Sequence, residues 1–432
     1  MRRHLIALCI TLLALSAGAQ PADSVTTALR VRLDSVLGQF PILQERTQIG
    51  LYVYDLTAEE PLFAFGQHQQ LRPASTEKIL TAVAALHFLG GDYQLRTTVS
   101  VLGRDSVTLL VRGGMDPTIT PEDVRQLGLQ TKQFGLQDKL HSVALDLSMK
   151  DTLRMGPGWC WDDDTKPLCP LLVNGKERFG ELFLQALQAD TLPATANLRT
   201  ITSTREAEEL RANADTLYVA AERRTSIDRV LLRMMKNSDN NYAESLFYQL
   251  GRDAQSAAER ITQFLSSIGI DTRTIQVVDG SGLSLYNYST PDALVRTLRY
   301  AYTHPAIYRH LQPTLPVAGY DGTLRRRMRG TAAEQRIMAK TGTLTGVSTL
   351  AGYALAPNGH LLAFAIMNQG MRSQRTAHDF QDAICLALCE PIPEPENAEE
   401  APKSAPSMQD PMPRLADPDE LLHEDLHSLL AR

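Results

Sequence analysis

The amino-acid sequence predicts an α+β fold in which one sheet gathers both ends of the chain and a smaller β-rich domain is inserted between them. Strand-like segments occur near both ends of the chain, with an apolar helix and further helical segments between them. After that helix, up to about residue 220, the pattern changes to short β segments, which indicates an insertion with its own small core. At 432 residues with 43% hydrophobic content, the chain can hold both parts.

Outside the insertion, strand-like patterns occur in two groups. They are Ile49–Leu56, Pro61–Phe65, Arg336–Leu344, Ser348–Leu355 and Leu361–Asn368. A helix predicted from about Arg372 to Cys389 closes the body. The predicted sheet therefore joins the N-terminal and C-terminal parts of the body.

The helix predicted over Pro73–Leu89 begins with a proline and is followed by Gly90-Gly91, both typical of helix boundaries. Because it is apolar on most faces, we expect it to be buried in the core. The insertion has one intervening helix and predicted strands at Thr97–Val101, Val107–Arg112 and Ser142–Leu147. We therefore predict a body of residues 20–96 and 220–390 and an inserted domain of residues 97–219.

The N-terminus has the pattern of an export signal. Arg2 and Arg3 precede an apolar stretch that ends at Leu15, and small residues follow up to Ala19. The stretch is shorter than the roughly 20 residues that span a bilayer, and no later segment is apolar enough to do so. A buried N-terminal helix is the alternative. We predict cleavage near Ala19 and a periplasmic or secreted protein without a transmembrane segment.

The C-terminal tail, residues 391–432, is strongly acidic, whereas the body is close to neutral and the whole chain has a net charge of −6. Residues 390–432 contain eleven acidic and three basic residues, and eight prolines lie between Pro391 and Pro418. This composition predicts disorder. Leucines at helical spacing in Asp419–Leu430 predict a short helix that docks on the body or meets a partner or a membrane surface. No basic face suited to nucleic acid is visible.

Four cysteines remain after removal of the signal, and they allow three pairings. Cys160 and Cys169 lie in one loop-like stretch and could form a disulfide. Cys385 and Cys389 are four residues apart on a predicted helix, a spacing that suits disulfide geometry poorly. The chain has no C-x-x-C pair or histidine cluster, so we expect no metal and no cofactor.

Ser75 and Lys78 open the predicted buried helix as a Ser-x-x-Lys motif. Residues three apart share a helix face, so the Lys78 amine can reach the Ser75 hydroxyl. A serine nucleophile needs an adjacent base, and a lysine can be that base when burial lowers its pKa. A helix-capping serine beside a solvated lysine is the alternative, although the buried helix disfavours it.

Two further motifs follow in the sequence. Ser238-Asp239-Asn240 offers a hydroxyl for proton relay and an amide for a substrate amide, and it also has the form of a helix cap. Lys340-Thr341-Gly342-Thr343 lies in a predicted strand, where the glycine commonly marks close approach of another backbone. Lys340 and Thr341 suit a terminal carboxylate, and a turn or bulge is the alternative.

The order Ser-x-x-Lys, Ser-x-Asn, Lys-Thr-Gly is that of penicillin-binding proteins and class A β-lactamases. The sequence resembles the class C low-molecular-mass penicillin-binding proteins, the D-alanyl-D-alanine carboxypeptidase/endopeptidase family that includes proteins like penicillin-binding protein 4. The resemblance runs from about Gly50 to Gly370. It includes Gly113–Pro117, Gly158–Asp163, Asp279–Ser284 and Leu315–Leu324.

The resemblance implies a transpeptidase/β-lactamase-like domain, an antiparallel sheet with helices, acting on peptidoglycan peptides. In it Ser75 is acylated and Lys78 is its base. Ser238 relays protons, Asn240 binds the acyl side, and Lys340 and Thr341 hold the carboxylate. The same analogy implies that the backbone N–H groups of Ser75 and Thr343 form an oxyanion hole.

The resemblance also suggests substrate contacts in the inserted domain. Family members can bring an acidic residue to the free amine of diaminopimelate, and Trp159 and Asp162 are the candidates here. The alternative is a loop held by buried tryptophans with solvated acids. The gap from Ser75 to Ser238 is shorter than in the largest members, so part of the insertion is expected to be reduced.

The sequence thus predicts a serine-type D-Ala-D-Ala carboxypeptidase, with DD-endopeptidase activity as a possible addition and β-lactams as covalent inhibitors. A β-lactamase is one alternative, but no Glu-x-x-Leu-Asn loop for fast deacylation follows Ser238. A non-catalytic peptidoglycan-binding protein is another, although a binder has no need of a nucleophile and a base together. The oligomeric state stays open.

Overall fold

The protein is described by a computed structural model covering residues 24–392, except residues 137, 164 and 189–196. The predicted export signal lies outside the described residues, as does the predicted acidic tail beyond its first two residues. Within the described range, none of the helices combines the length and apolar character that a membrane crossing requires.

The described residues form two sheets and the helices around them. The strands are β1 Gln48–Asp55, β2 Glu60–Phe65, β3 Gln94–Leu102, β4 Val107–Arg112, β5 Leu140–Asp146, β6 Asn197–Ile201, β7 Leu217–Ser226, β8 Ile337–Leu344, β9 Val347–Leu355 and β10 Leu361–Gln369. The helices are α1 Ser24–Gln39, α2 Pro41–Arg46, α3 Glu77–Leu89, α4 Pro121–Lys132, α5 Phe179–Gln188, α6 Thr204–Ala212, α7 Ile227–Lys236, α8 Asn240–Leu250, α9 Ala254–Ser267, α10 Pro291–Thr303, α11 Pro305–Leu311 and α12 Gln374–Cys389.

The first sheet is antiparallel, in the order β2-β1-β10-β9-β8. Because β1 pairs with β10, from Gln48 opposite Gln369 to Asp55 opposite Leu362, the sheet joins the two ends of the body. This confirms the α+β fold with a sheet that gathers both chain ends. The five body strands and the closing helix predicted from the sequence are all present within a few residues.

The two faces of this sheet pack against different helices. The side chains of β10 point alternately to one face and to the other. Leu362, Phe364 and Ile366 point into a core shared with α1 and α12. Ala363 and Ala365 point to the opposite core, which contains α3 and α10. Their small side chains allow the α10 backbone to come close to the sheet, so helices cover both faces.

Helix α3 is buried as predicted, because almost every side of it is apolar. Its first ten residues are all buried, and it packs against α8, α9, α10 and α11. The predicted helix over Pro73–Leu89 differs at its start. Ala74–Thr76 form a separate 3-10 turn, and the α-helix begins only at Glu77.

The second sheet, between residues 94 and 226, has the order β6-β5-β4-β3-β7. Its β4–β5 and β5–β6 pairs are parallel, and the other pairs are antiparallel. Helices α4 and α5 cover one face, and α6 covers the other. We propose this unit as the inserted domain.

The insertion contains more regular structure than the sequence pattern predicts. The sequence predicts one helix, but the described residues of the insertion contain the three helices α4, α5 and α6 in addition to the unpredicted strands β6 and β7. Four of the five residues of β6 are exposed, so apolar alternation is missing there. The start of α4 has a sequence pattern typical of a helix N-terminus. Thr120 and Asp123 form a capping box, and Pro121 is the first residue of the helix.

A buried ion-pair network closes the base of the insertion. Asp116 is 1% exposed and bonds the guanidinium of Arg223 on β7. The Asp116 carboxylate also accepts hydrogen bonds from Thr225 Oγ1 at 2.6 Å and from the Thr118 backbone N–H at 2.9 Å. Asp123 is a second partner of Arg223, at 2.9 Å. The segment after β4 is therefore fixed to β7.

We predict that Asp116→Ala destabilises the protein by about 3 kcal/mol, because it leaves a buried guanidinium without its main counter-charge. Urea unfolding followed by circular dichroism measures the loss. Glu122→Ala is the matched control, since the ion pair of Glu122 with Arg125 is exposed, and its unfolding midpoint should stay close to that of the wild type. Equal effects of the two substitutions would contradict the proposed importance of the network.

Candidate active site

The first motif lies in a tight turn at the start of α3. Ser75 is half-buried in the 3-10 turn Ala74–Thr76, immediately before the α-helix. Ala74 adopts a φ of 46°, a region that residues other than glycine rarely occupy. The Pro73 carbonyl oxygen accepts a hydrogen bond from Thr349 Oγ1 at 2.7 Å, which ties the turn to β9. The conformation of the serine turn is thus held from the sheet.

The side chain of Lys78 is completely buried, and its amine is surrounded by oxygen atoms. Nζ donates to Ser75 Oγ at 2.9 Å. It also donates to Asn240 Oδ1 and to the Ser281 carbonyl oxygen, each at 2.7 Å. Burial lowers the pKa of Lys78 to about 8, although nearby carboxylates, Asp279 foremost, act in the opposite direction. An amine with this pKa is partly uncharged near neutral pH.

The second motif forms the start of α8. Ser238 has a φ of 59°, and the Asp239 side chain caps the helix by accepting the backbone N–H of Asn241 at 3.1 Å. Asn240 is the first residue of the helix, and its amide oxygen contacts Lys78. The helix-cap interpretation therefore applies to Asp239, while the residues on either side of it point into the site.

The third motif lies on β8, the edge strand of the sheet. Lys340 is completely buried, and its Nζ donates to Ser238 Oγ at 2.8 Å and to the Thr341 carbonyl oxygen at 2.7 Å. Burial, together with the charge of Lys78, lowers the pKa of Lys340 well below its ordinary value. Both lysines and both motif serines thus belong to one cluster.

The open edge of β8 presents backbone groups next to this cluster. The Ala339 N–H points away from the sheet and donates to the Pro316 oxygen at 2.9 Å. Backbone groups alternate between inward and outward along an antiparallel strand, and the register with β9 is continuous. The N–H groups of Thr341 and Thr343 therefore also face outward. An extended peptide can pair with this edge.

Gly342 is where the sheet approaches the serine turn most closely. A Cβ at this position would lie 2.2 Å from Thr349 Oγ1, 2.8 Å from the Pro73 oxygen and 2.9 Å from the Ser75 nitrogen. No side chain fits between the strand and the turn without displacing one of them. The glycine thus allows the backbone of β8 and the backbone N–H of Ser75 to meet.

A loop anchored by Asp279 supports the turn from the other side, and the sequence analysis assigned it no role. The Asp279 carboxylate is 1% exposed and accepts four hydrogen bonds. The donors are the backbone N–H groups of Gly282 and Ser284, the Asn287 amide and the Trp159 indole, at 2.6–2.8 Å. The available signal was an acid directly after Val277-Val278 and directly before the glycine-rich segment Gly280-Ser281-Gly282.

The same loop contacts the serine turn, Ala74–Thr76, directly. Gly282 has a φ of 77°, and a Cβ there would lie 1.8 Å from the Ala74 carbonyl oxygen. Its neighbour Ser281 supplies the carbonyl that accepts the Lys78 amine. The loop therefore positions the lysine and the serine turn together.

The two candidates from the inserted domain differ in their surroundings. Trp159 packs against the large core and donates its indole N–H to Asp279. Asp162 is exposed, and its neighbour Trp161 is 90% exposed rather than buried. Trp159 thus connects the insertion to the loop behind the site. A substrate role of either Trp159 or Asp162 remains a proposal.

The cysteines of the described residues are all free thiols. Cys160 is exposed, whereas Cys169 faces the interior, so the disulfide considered for this pair is absent. Cys385 and Cys389 are buried on α12. Burial raises the pKa of Cys385 well above its ordinary value.

A cleft of about 840 Å³ leads from the cluster to the inserted domain. Ser238 and Asn240 line one side of it, and Thr118, Asn174 and Trp159 line the other. Two residues of the cluster, Ser238 and Asn240, therefore line a cleft that also borders the inserted domain.

Comparisons with known proteins agree with this arrangement. The sequence matches the D-Ala-D-Ala carboxypeptidase 3 (S13) family over residues 29–173 and 174–390. A D-alanyl-D-alanine carboxypeptidase from Actinomadura sp. is 29% identical over 499 aligned residues, which cover 91% of this chain and 90% of the relative.

Solved structures show the same fold. A crystal structure of penicillin-binding protein 4 from Haemophilus influenzae superposes with a TM-score of 0.70 at 20% identity, and a second structure of that protein is complexed with a β-lactam. The first match covers 82% of the present chain and 97% of the other. A predatory peptidoglycan endopeptidase from Bdellovibrio bacteriovorus superposes with a TM-score of 0.53 at 17% identity, over 83% of this chain and 97% of the other.

The family predicted from the three motifs is confirmed, since the match covers most of the described body and both parts of the molecule. The protein belongs to the D-Ala-D-Ala carboxypeptidase 3 (S13) family.

Proposed function

We propose that this D-Ala-D-Ala carboxypeptidase is a serine peptidase that cleaves peptidoglycan stem peptides through an acyl-enzyme on Ser75. The observation that carries the proposal is the 2.9 Å contact between Ser75 Oγ and the Nζ of a completely buried lysine. A serine hydroxyl needs a base to become a nucleophile, and a lysine whose pKa lies near 8 can be one.

In the first step, uncharged Lys78 accepts the proton of the Ser75 hydroxyl. The Ser75 oxygen forms a bond to the carbonyl carbon of the penultimate D-alanine, and the carbonyl oxygen becomes an oxyanion. The backbone N–H groups of Ser75 and Thr343 are the proposed donors to that oxyanion. One such donor commonly contributes about 3 kcal/mol of transition-state stabilisation. The close approach at Gly342 supports this pairing, because it brings β8 to the Ser75 nitrogen.

Collapse of the oxyanion breaks the peptide bond and releases the terminal D-alanine, whose amine takes up a proton. We propose that this proton is the one Lys78 took from Ser75 and that Ser238 relays it to the leaving amine, with the Ser238 hydroxyl held in place by a hydrogen bond from Lys340 at 2.8 Å. Water then attacks the ester, with Lys78 again as the base, and the serine is regenerated. The protons balance, because Lys78 gives up the proton from Ser75 to the released D-alanine and the proton from water to Ser75.

The substrate's terminal carboxylate belongs at Lys340 and Thr341. Burial keeps the pKa of Lys340 low in the free protein, and an arriving carboxylate supplies the counter-charge that favours its charged form. The acyl side of the peptide would pair with the open edge of β8 and contact Asn240. Trp159 and Asp162 are proposed contacts for a longer or cross-linked peptide across the cleft.

The location and inhibitors follow from the same proposal. Stem peptides lie outside the cytoplasm, which fits the export signal predicted at residues 1–19. The motif trio is that of proteins acylated by penicillins, so we propose β-lactams as covalent inhibitors. DD-endopeptidase activity is proposed as an additional reaction of the same serine.

We predict that Ser75→Ala lowers the rate of D-alanine release on the order of 10⁴-fold, because it removes the nucleophile. Mass spectrometry of muropeptides after incubation measures the change and separates the activities. Pentapeptides become tetrapeptides in a carboxypeptidase reaction, and cross-linked dimers disappear in an endopeptidase reaction. Ser267→Ala, at an exposed position late in α9, is the matched control. Unchanged muropeptides with the wild-type protein would favour a non-catalytic binder.

We predict that kcat/KM rises with pH through a midpoint near 8, because Lys78 acts only when deprotonated, and falls again at higher pH, because Lys340 with its lowered pKa loses the charge that binds the carboxylate. Below the midpoint the rate should fall about tenfold per pH unit. Initial rates of D-alanine release between pH 6 and pH 10 give the curve. A midpoint near 10.5, the ordinary value for lysine, would exclude Lys78 as a buried base.

We predict that Gly342→Ala lowers kcat/KM by about a hundredfold, because the new methyl group pushes the serine turn and β8 apart. Gly38→Ala is the matched control, since a Cβ there has no heavy atom within 4 Å. The same rate assay compares the two variants after circular dichroism has confirmed folding. Wild-type kinetics in Gly342→Ala would contradict the proposed oxyanion pairing.

A further inference from the structure

Three arginines form an exposed cationic surface that the mechanism above does not use. Arg325, Arg326 and Arg329 are exposed, whereas Leu324 and Met328 between and beside them are buried in the core that contains α12. We call the three exposed residues the arginine surface. They carry three like charges within five residues, and like charges at this spacing repel one another. The surface therefore favours an anionic partner.

The described part of the chain does not supply that partner. None of the three arginines forms an ion pair with a described residue. Asp382 on α12 accepts the side chain of Arg327 instead, at 2.6 Å and 3.0 Å. Glu334 accepts the backbone N–H of Gly330 at 2.9 Å. Arg327 is thus neutralised within the fold, and the arginine surface on either side of it is not.

The arginine surface lies between the site and α12. Two residues before Arg325, the Thr323 hydroxyl accepts a hydrogen bond from Thr341 Oγ1 at 2.8 Å. Thr341 is one of the proposed contacts of the substrate's terminal carboxylate. On the other side, the bond from Arg327 to Asp382 fixes the segment to the second half of α12. An anion bound here is therefore close both to the site and to the end of the described chain.

The tail that follows α12 begins with acids. The helix ends at Cys389, and Arg32 on α1 donates to the backbone oxygens of Glu390 and Pro391 at 2.7 and 2.5 Å. Four glutamates follow within the next ten residues, before any basic residue. They are Glu394, Glu396, Glu399 and Glu400. We call Glu394–Glu400 the glutamate segment, and its charge is opposite in sign to that of the arginine surface.

The glutamate segment is close enough in the chain to reach the arginine surface. Asp382 lies seven residues before Cys389, a distance of about 10 Å along α12. Glu400 lies eight residues beyond Ile392, the last described residue, and an extended chain of that length spans up to about 27 Å. Attachment to the same chain also raises the effective concentration of the segment above that of a separate polyanion.

We propose that the arginine surface is the docking surface for the glutamate segment of the chain's own tail. Arginine clusters recognise acidic segments through charge-assisted hydrogen bonds. Exposed ion pairs are individually weak, so docking depends on several pairs acting together and is sensitive to salt. Docking also cancels positive charge next to Thr341, and it thereby reduces the attraction of the site for an anionic peptide.

Limited proteolysis of the full-length protein tests the docking without any substrate turnover. An endopeptidase that cleaves after glutamate is added at low salt, and mass spectrometry follows cleavage within the glutamate segment. The test variant combines Arg325→Gln, Arg326→Gln and Arg329→Gln. We expect cleavage in this variant to be about tenfold faster than in the wild type, because a bound segment cannot enter the protease. About 0.5 M salt should accelerate cleavage of the wild type in the same way.

The matched control removes three exposed arginines elsewhere on the body and should keep the protection of the wild type. It combines Arg104→Gln, Arg112→Gln and Arg252→Gln. Circular dichroism confirms folding of both triple variants, and the salt dependence needs no variant at all. Equally fast cleavage of the wild type and the arginine variant, with no effect of salt, would overturn the proposal. The same result with arginine-dependent binding to phosphatidylglycerol vesicles would assign the surface to an anionic membrane instead.

The effect of docking on the site rests on the proposed function and has a separate measurement. Replacement of the four glutamates by glutamines leaves the arginine surface uncancelled, so KM for a pentapeptide should fall about threefold at low salt with kcat unchanged. The matched control neutralises four later acids of the tail, Asp417, Asp419, Glu420 and Glu424. An unchanged KM would overturn this electrostatic effect. Absence of D-alanine release would overturn the proposed function, and the proteolysis result would still decide the docking.

Discussion

The site depends on one constraint, the complete burial of the Lys78 amine among three oxygen atoms. Those oxygens come from the serine turn, from α8 and from the Asp279 loop. Hydrogen bonds from a single side chain therefore connect three separate parts of the fold. A buried amine is costly when charged. The same burial therefore lowers its pKa, which suits the role of base that we propose for it.

The first sheet contacts the serine turn from the opposite side. Thr349 on β9 holds the serine turn, and Gly342 on β8 lets the strand edge reach the Ser75 nitrogen. Helix α10 packs on the sheet face that carries Ala363 and Ala365, and α3 packs on α10. The inserted domain approaches across the cleft through Trp159, whose indole bonds the Asp279 loop. The inserted domain is therefore connected directly to the loop that contacts Lys78.

Much of this could be predicted from the sequence, because motif spacing and apolar periodicity are local signals. These signals predicted the body strands, the buried helix and the three motifs, and the structure brings those motifs together around Ser75. The 3-10 turn was missed because a strained φ at Ala74 depends on tertiary contacts. Strand β6 was missed because it is mostly exposed. The contact of Asp279 with Trp159 joins two distant segments, which no local pattern shows.

The central claim is that Ser75, activated by Lys78, is the acylated residue. The most direct measurement is peptide mapping by mass spectrometry after exposure of the intact protein to penicillin. The account predicts one long-lived adduct on the peptide that contains Ser75, and no adduct in the variant Lys78→Met. An adduct on another residue, or rapid turnover of the penicillin without a stable adduct, would contradict it.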